Sequence, residues 1–392
     1  MGVPWNSEVN DGSMVGYTIF PSSVDQQLNV REDASRAYYF PFRDQPNLEV
    51  LLNTRVNRIV WKPSNDQNES TADGVEIHDN TGNTQVVKAK KEVILAAGAL
   101  VSPLHLEMSG VGNPDILSKY DIDTVVDLPT VGENLQDQMN NGLGYLANKN
   151  YTLTGQPAYV AYPSASQIFG DETDKIAAQL KSSLASYASQ VARVNNHVTS
   201  EEDLLRFFEL QYDLIFESQV AIAELLMFQV EGAWSTEYWA LLPFARGSVH
   251  ITSANTTENA AINPNYFMLD WDMQEQIYAA GFIRQLYSTQ PFSKLVGDET
   301  KPGLDTVPLS ADDETWAEWL KDTYRSNFHP VATAAMMPRE IGGVVDTNLK
   351  VYGTANVRVV DASVLPFQVC GHLVSTIYAV AERASDLIKG DW

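Results

Sequence analysis

Apolar residues near the end of the chain recur at helical spacing. Leu373, Ile377, Val380, Ala384 and Leu387 follow one another at intervals of four, three, four and three, which places them on one face of a helix predicted from Gly371 onward. Lys389-Gly390 supplies its basic last turn and glycine stop. Just upstream, residues 344–366 read as two short strands closing on Asp361-Ala362-Ser363. Earlier in the chain the period shortens to two. Leu48–Leu52 and Arg55–Lys62 alternate as strands do, the polar run 64–74 makes a hairpin loop, and Val75–His78 with Gln85–Ala89 continue the meander. Glu92–Ala99 is an apolar run ending in small residues, the pattern of a buried parallel strand feeding a helix. Long helices are predicted at Glu172–Arg193 and Glu201–Val220, and a short one at Asp33–Tyr39 in a loop-rich opening. From Phe228 the helical period is lost and the chain leads into a strand, where His250 alternates outward from Val249 and Ile251 as a structural residue.

Composition narrows the classes of function. A length of 392 residues suggests two or three domains, and 44% hydrophobic residues suffice for a large core. Lys+Arg 26 against Asp+Glu 50 gives a formal charge of −24, which argues against nucleic acid and against anionic membrane, and favours an uncharged or cationic substrate. No run of eighteen apolar residues occurs, so no transmembrane helix is expected. Cys370 is the single cysteine, which rules out an intrachain disulfide and a thiolate metal cluster, and no metal site is expected. Sequons at Asn68, Asn150 and Asn255 are compatible with a secreted glycoprotein. The opening residues MGVPWNSEVNDG lack the basic start and apolar stretch of a signal peptide.

The chemistry gathers around two histidines. His329 stands in Arg325-Ser326-Asn327-Phe328-His329-Pro330, and forty-three positions later His372 falls in the first turn of the predicted helix. Free N–H groups and the helix dipole there favour a negatively charged partner. Imidazole suits proton transfer near neutral pH. Arg325 and Asn327, four and two positions before His329, share its face in an extended segment, where they can bind several hydroxyls and where Arg325 should hinder protonation of the imidazole. His78, His105, His197 and His250 have no such surroundings.

This stretch carries a family pattern: Asn327-x-His329-Pro330-Val331-x-Thr333 with Met336-Met337-Pro338, then Val344-Val345-Asp346, Val351-Tyr352-Gly353 and Arg358-Val359-Val360-Asp361-Ala362-Ser363, then Gly371-His372 with Tyr378-Ala379-x-Ala381-Glu382-Arg383-Ala384. A second signature runs from Gly98 to Gly112 and departs only at His105, where an aliphatic residue is usual. The chain thus resembles the glucose-methanol-choline (GMC) flavoprotein oxidoreductases over essentially its whole length. Within that family it looks most like the fungal FAD-dependent glucose dehydrogenases, with glucose oxidase next.

The resemblance implies oxidation of glucose or a similar aldose at C1, giving gluconolactone, with hydride passing to FAD and electrons to a quinone or artificial acceptor. The alternatives are an oxidase using oxygen, and a FAD-free fragment or non-redox homologue. It implies His329 as the base, His372 as its partner on the same oxygen, and Arg325, Asn327, Glu237 and Trp239 as sugar contacts. Read from the residues alone, Trp239 fits a core aromatic and Glu237 a solvated charge. Cofactor-lining positions carried over are Val56, Ala97, Gly98, Ser102, Asn134, Asp137, Asp361, Ala362, His372 and Val374. The implied fold is mixed α/β: a parallel-sheet FAD-binding portion at 46–138 and 345–392, interleaved with an antiparallel-sheet substrate domain at 139–344, after an opening segment 1–45 on the substrate side. The FAD portion is expected to be incomplete. No Gly-x-Gly-x-x-Gly fingerprint occurs, since Gly110-Val111-Gly112-Asn113-Pro114-Asp115 begins like one but ends on Asp. An N-terminal FAD-binding portion is the partner expected to complete it, and the parent enzyme is expected to be extracellular.

Overall fold

The computed structural model describes residues 1–63, 69–79, 81–149, 159–230 and 232–391. Asn68 and Asn150, and residues 64–68 of the expected hairpin loop, lie outside these. Asn255 is exposed on a loop.

One core is built on a seven-stranded antiparallel sheet. Its strand order is Gly16–Ile19, Tyr159–Tyr162, Ala223–Val230, Ala233–Ala240, Met139–Ala147 and Val296–Lys301, and the short strand Arg325–Ser326 also pairs with Met139–Ala147. Strand alternation gives this sheet two different faces. Leu143 and Tyr145 point to the side covered by the helix Asp270–Ser288, where Tyr145 packs on Tyr287 at 4.0 Å and Thr236 Oγ1 meets the Tyr287 hydroxyl at 2.7 Å. Helices Thr173–Val194 and Glu201–Phe216 close the same core. Ile176, Leu180, Leu184, Tyr187 and Val191 recur every three or four residues along the first and are all buried. The Ser200 hydroxyl accepts from Asp203 N and caps the second.

A second core lies around a parallel strand pair, Val93–Leu95 with Val357–Val359, and the three-stranded sheet Thr54–Trp61, Ala72–Asp79, Thr84–Lys88. Asn356 joins the two by accepting from Ala72 N at 2.7 Å and donating to Ala72 O at 3.1 Å. The helix Ser102–Met108 follows the first parallel strand, as the small-residue pattern predicts. Among the described residues no helix is long and apolar enough to cross a membrane.

Several boundaries differ from expectation. The C-terminal helix starts at Val374, not Gly371, because Gly371 holds φ +147°, outside the helical region, and the turn over Leu373 begins only with Ile377 N donating to Leu373 O. It also runs through Gly390 to Asp391, whose carboxylate is held by Lys350 and by buried Arg358. Leu48–Leu52 forms no strand. It finds no partner ladder, and its apolar side chains stay exposed. Asp33–Tyr39 contributes a single π-turn, Ser35–Tyr39. The second long helix stops at Phe216 ahead of Gln219, which adopts φ +52°. Within 344–366 only Val357–Val359 is a strand; Val345 and Val351 pair as an isolated bridge.

Candidate active site

The short strand Arg325–Ser326 delivers Arg325 to the sheet face opposite the helix Asp270–Ser288. Beyond it Phe328 turns to φ +59°, and His329 is fixed by its backbone, since Asp137 Oδ1 accepts from His329 N at 2.9 Å. Asp137 also accepts from the Tyr266 hydroxyl, from the Ser326 hydroxyl and from Gln138 N. Gln368 Nε2 donates to His329 O at 2.7 Å. His372, on the turn preceding the C-terminal helix, brings its ring to 5.1 Å from that of His329. The two histidines, distant in sequence, therefore meet.

Trp239 stands edge-on to both imidazoles, 6.3 Å from His329 and 5.5 Å from His372. It is 1% exposed, so its ring face is covered by the structure and not open to a sugar; it braces the histidines instead. Glu237 and Arg325 form an ion pair at 2.7 Å, and Asn140 Nδ2 donates to both Glu237 Oε2 and Asn327 Oδ1. This corrects the expected effect of Arg325 on His329. The guanidinium is engaged by Glu237, and the His329 pKa is pushed down to about 4 by burial and then by the neighbouring His372.

His329 Nδ1 lies 2.8 Å from Gln138 Oε1 and 3.0 Å from Asn327 Nδ2. Gln138 Nε2 donates to Leu241 O and Val369 O, which turns its oxygen toward the imidazole. We assign the proton to Nδ1 on the shorter contact, leaving the Nε2 lone pair as the free acceptor.

Sequence reasoning missed Glu224. It is fully buried, and its Oε1 sits 2.9 Å from His372 Nε2 without an aligned hydrogen bond. Burial holds its carboxyl toward the protonated form, against the pull of His372 and Tyr162. A lone acid inside the apolar run Ala223-Glu224-Leu225-Leu226 was the available signal, because a carboxyl buried in a strand requires a partner.

A second group of expected residues meets at the C-terminal end of the parallel pair, the end at which open α/β sheets take ligands. Asp361 Oδ2 accepts from Gly98 N at 2.9 Å and from the Ser102 hydroxyl at 2.5 Å, and its Oδ1 accepts from Ser363 N and Oγ. Ala97 N donates to Ser102 Oγ. Gly98 adopts φ +85°, and nothing lies within 4 Å of where a Cβ would stand. With Ala96 and Ala97 exposed beside it and Ala362 half-buried, this end offers open backbone lined by small residues. Val374, at the head of the C-terminal helix, is half exposed, and a cleft of about 530 Å³ runs past His372 and Val374 to Phe20 and Met14. Asn134, at φ +62°, donates to Pro366 O. Val56 is not brought into this cluster; it sits in the three-stranded sheet opposite Ile77 and shares no hydrogen bond with it.

The structure thus carries a histidine pair against the antiparallel sheet and an open small-residue turn at the end of the parallel strand pair. The description "GMC oxidoreductase" matches at residues 1–140 by its N-terminal domain and at 243–381 by its C-terminal domain. The chain belongs to the GMC oxidoreductase family, whose cofactor is FAD. It is 41% identical over 395 residues to the glucose oxidase-like protein fsoC of Humicola fuscoatra, covering all of this chain and 66% of that one. It is 38% identical to the glucose oxidase of Aspergillus carbonarius, covering all of this chain and 64% of that one. Among solved structures, a fungal aryl-alcohol oxidase superposes with a TM-score of 0.86 at 25% identity, over 100% of this chain and 69% of that one. An FAD-dependent oxidoreductase from Chaetomium thermophilum gives 0.85 at 26% identity, over 97% and 68%. The chain spans about two thirds of the length of the curated relatives it matches.

Proposed function

We propose that the protein oxidises an aldose of the glucose type at C1. The observation that carries this reading is the neutral, half-buried His329 facing His372 beside the Arg325–Glu237 pair. FAD, when bound along Ala97, Gly98 and Ala362, supplies the hydride acceptor. His329 Nε2 takes the proton of the C1 hydroxyl, and its low pKa keeps it competent as a base well below neutral pH. His372 holds the same oxygen, with Glu224 behind it. Arg325, Asn327 and Glu237 offer donors and acceptors to the other hydroxyls, a combination that a polyol requires. The open backbone at Gly98 and the exposed small residues beside it fit a flat cofactor.

For the electron acceptor we favour a quinone or an artificial acceptor. The second reading, oxygen, is supported by the names of the glucose oxidases among the relatives. Ile94 on the parallel pair and Val374 at the head of the C-terminal helix are exposed apolar residues, and we propose that further chain of the kind the relatives possess covers the edge of the parallel pair. The exposed Asn255 sequon supports an extracellular glycoprotein.

The test is the visible spectrum of the FAD-loaded protein before and after anaerobic glucose. Bleaching of the flavin bands supports the reading, and peroxide released on admitting air would assign the acceptor to oxygen. A flavin that no aldose bleaches, or a protein that retains none, refutes it in favour of a non-redox homologue or a FAD-free fragment.

A further inference from the structure

The sheet face that carries the site extends beyond the histidines. Directly opposed residues of antiparallel strands share a face. Glu224, Trp239, Asn140 and Arg325 therefore form one row across four strands. Two residues further along, roughly 7 Å away by strand rise, Leu226, Glu237 and Gly142 form a second. A third holds Phe228, Ser235, Gly144 and Lys301. A bulge between Gly144 and Tyr145 turns Glu299 to the opposite face, where it binds Tyr145 and Arg284, and leaves Lys301 on this one. The middle strand thus carries two glycines, opposite Glu237 and Lys301, on the stretch of this face that leads away from the reaction centre.

The charges along this face are unbalanced. Arg325 is matched by Glu237 at 2.7 Å. Lys301 makes no ion pair among the described residues, yet partial burial works against its charge, Glu237 favours it, and Arg325 opposes it, so all three groups lie within electrostatic reach. Two cations face one partly exposed carboxylate, since burial holds Glu224 toward its protonated form, in a chain whose net charge is −24. A solvated lysine on an edge strand is common; one directed into the field of an ion pair beside a substrate site is not explained by the sheet.

With C1 of the sugar at the histidines, which rests on the function proposed above, the opposite end of a pyranose falls about one row away, over Gly142. We propose that Lys301 is a specificity-determining residue that receives an anionic group at the end of the sugar remote from C1. The site would thereby accept aldoses bearing a C6 carboxylate, the hexuronic acids, as well as neutral ones. The ammonium offers a charge-assisted hydrogen bond to the carboxylate.

The experiment compares glucuronate with glucose as substrates of the FAD-loaded wild type, Lys301→Met and Lys301→Arg, and measures glucuronate binding to each by calorimetry. The expected result is a fall of about fivefold to tenfold in the glucuronate-to-glucose ratio of kcat/KM in Lys301→Met, carried by KM, and restored in Lys301→Arg. Equal ratios in wild type and Lys301→Met, or glucose turnover with no glucuronate turnover in the wild type, overturn the proposal. If neither sugar is oxidised, the functional reading fails by itself. Calorimetry then decides on Lys301: weaker glucuronate binding in Lys301→Met sustains it, and equal binding overturns it.

Discussion

His250 should set the stability of this protein between neutral and alkaline pH. Its Nδ1 lies 2.7 Å from Glu107 Oε1 and its Nε2 3.2 Å from Glu133 Oε1, while Ile251 N donates to Glu107 Oε2 at 2.9 Å. Burial by itself would lower the imidazole pKa, but the two carboxylates outweigh it and raise the value to about 9. Gly132 is required beside it, because a Cβ there would stand 2.2 Å from Val249 O and 2.9 Å from His250 Nδ1. A tenfold change in proton affinity corresponds to about 1.4 kcal/mol, so a rise from 6.5 to about 9 contributes roughly 3 kcal/mol to folding. The pKa is raised on folding, so this contribution is complete below pH 6.5 and is lost as pH climbs through about 9. His250→Gln keeps the size of the side chain and removes the charge, leaving Glu107 fully buried with only Ile251 N for support. Thermal and urea unfolding of both proteins at several pH values is the assay. The variant should be less stable by about 3 kcal/mol near pH 6, and the gap should close toward pH 9.5. Parallel stability curves for the two proteins across that window would refute the charged clamp.

Two further outcomes follow from the site. The pH profile of kcat/KM should show its acidic limb near the His329 value of about 4, not near an ordinary histidine value, and His329→Ala should lower turnover by about a hundredfold or more with flavin still bound; a limb at pH 6 to 7, or near-normal turnover, removes His329 as the base. Asp361→Asn sets an amide N–H₂ against two of the four donors from Gly98, Ser102 and Ser363 and should cost roughly 2 to 3 kcal/mol, read as a lower unfolding midpoint and a lower flavin-to-protein absorbance ratio.

Elements whose pattern is local were legible in the sequence. The five-residue stripe of the C-terminal helix and the two long helices fall within a few residues of their predicted positions, because amphipathic periodicity is a property of the helix itself. Leu48–Leu52 shows the limit of that logic, since a strand exists only with a partner and alternation does not supply one. The histidines and Asp361 were legible through the family pattern, which marks positions without giving their contacts. The partners therefore came out differently: Arg325 holds Glu237 and not the base, and Trp239 is 1% exposed with both imidazoles edge-on to it.

His250 shows why the rest was hidden. Alternation directs it away from Val249 and Ile251, and a polar side chain directed away from a core normally reaches solvent. Here it meets the helix Ser102–Met108, which the second core presses against the strand Ser248–His250. Outward from one core is inward at the seam between two. Position along the strand gives the direction of the side chain, and only the packing of a segment more than a hundred residues earlier supplies Glu107 as its partner. A polar residue at such a seam is satisfied or ruinous according to that distant acid, so its charge state belongs to the fold and not to the strand.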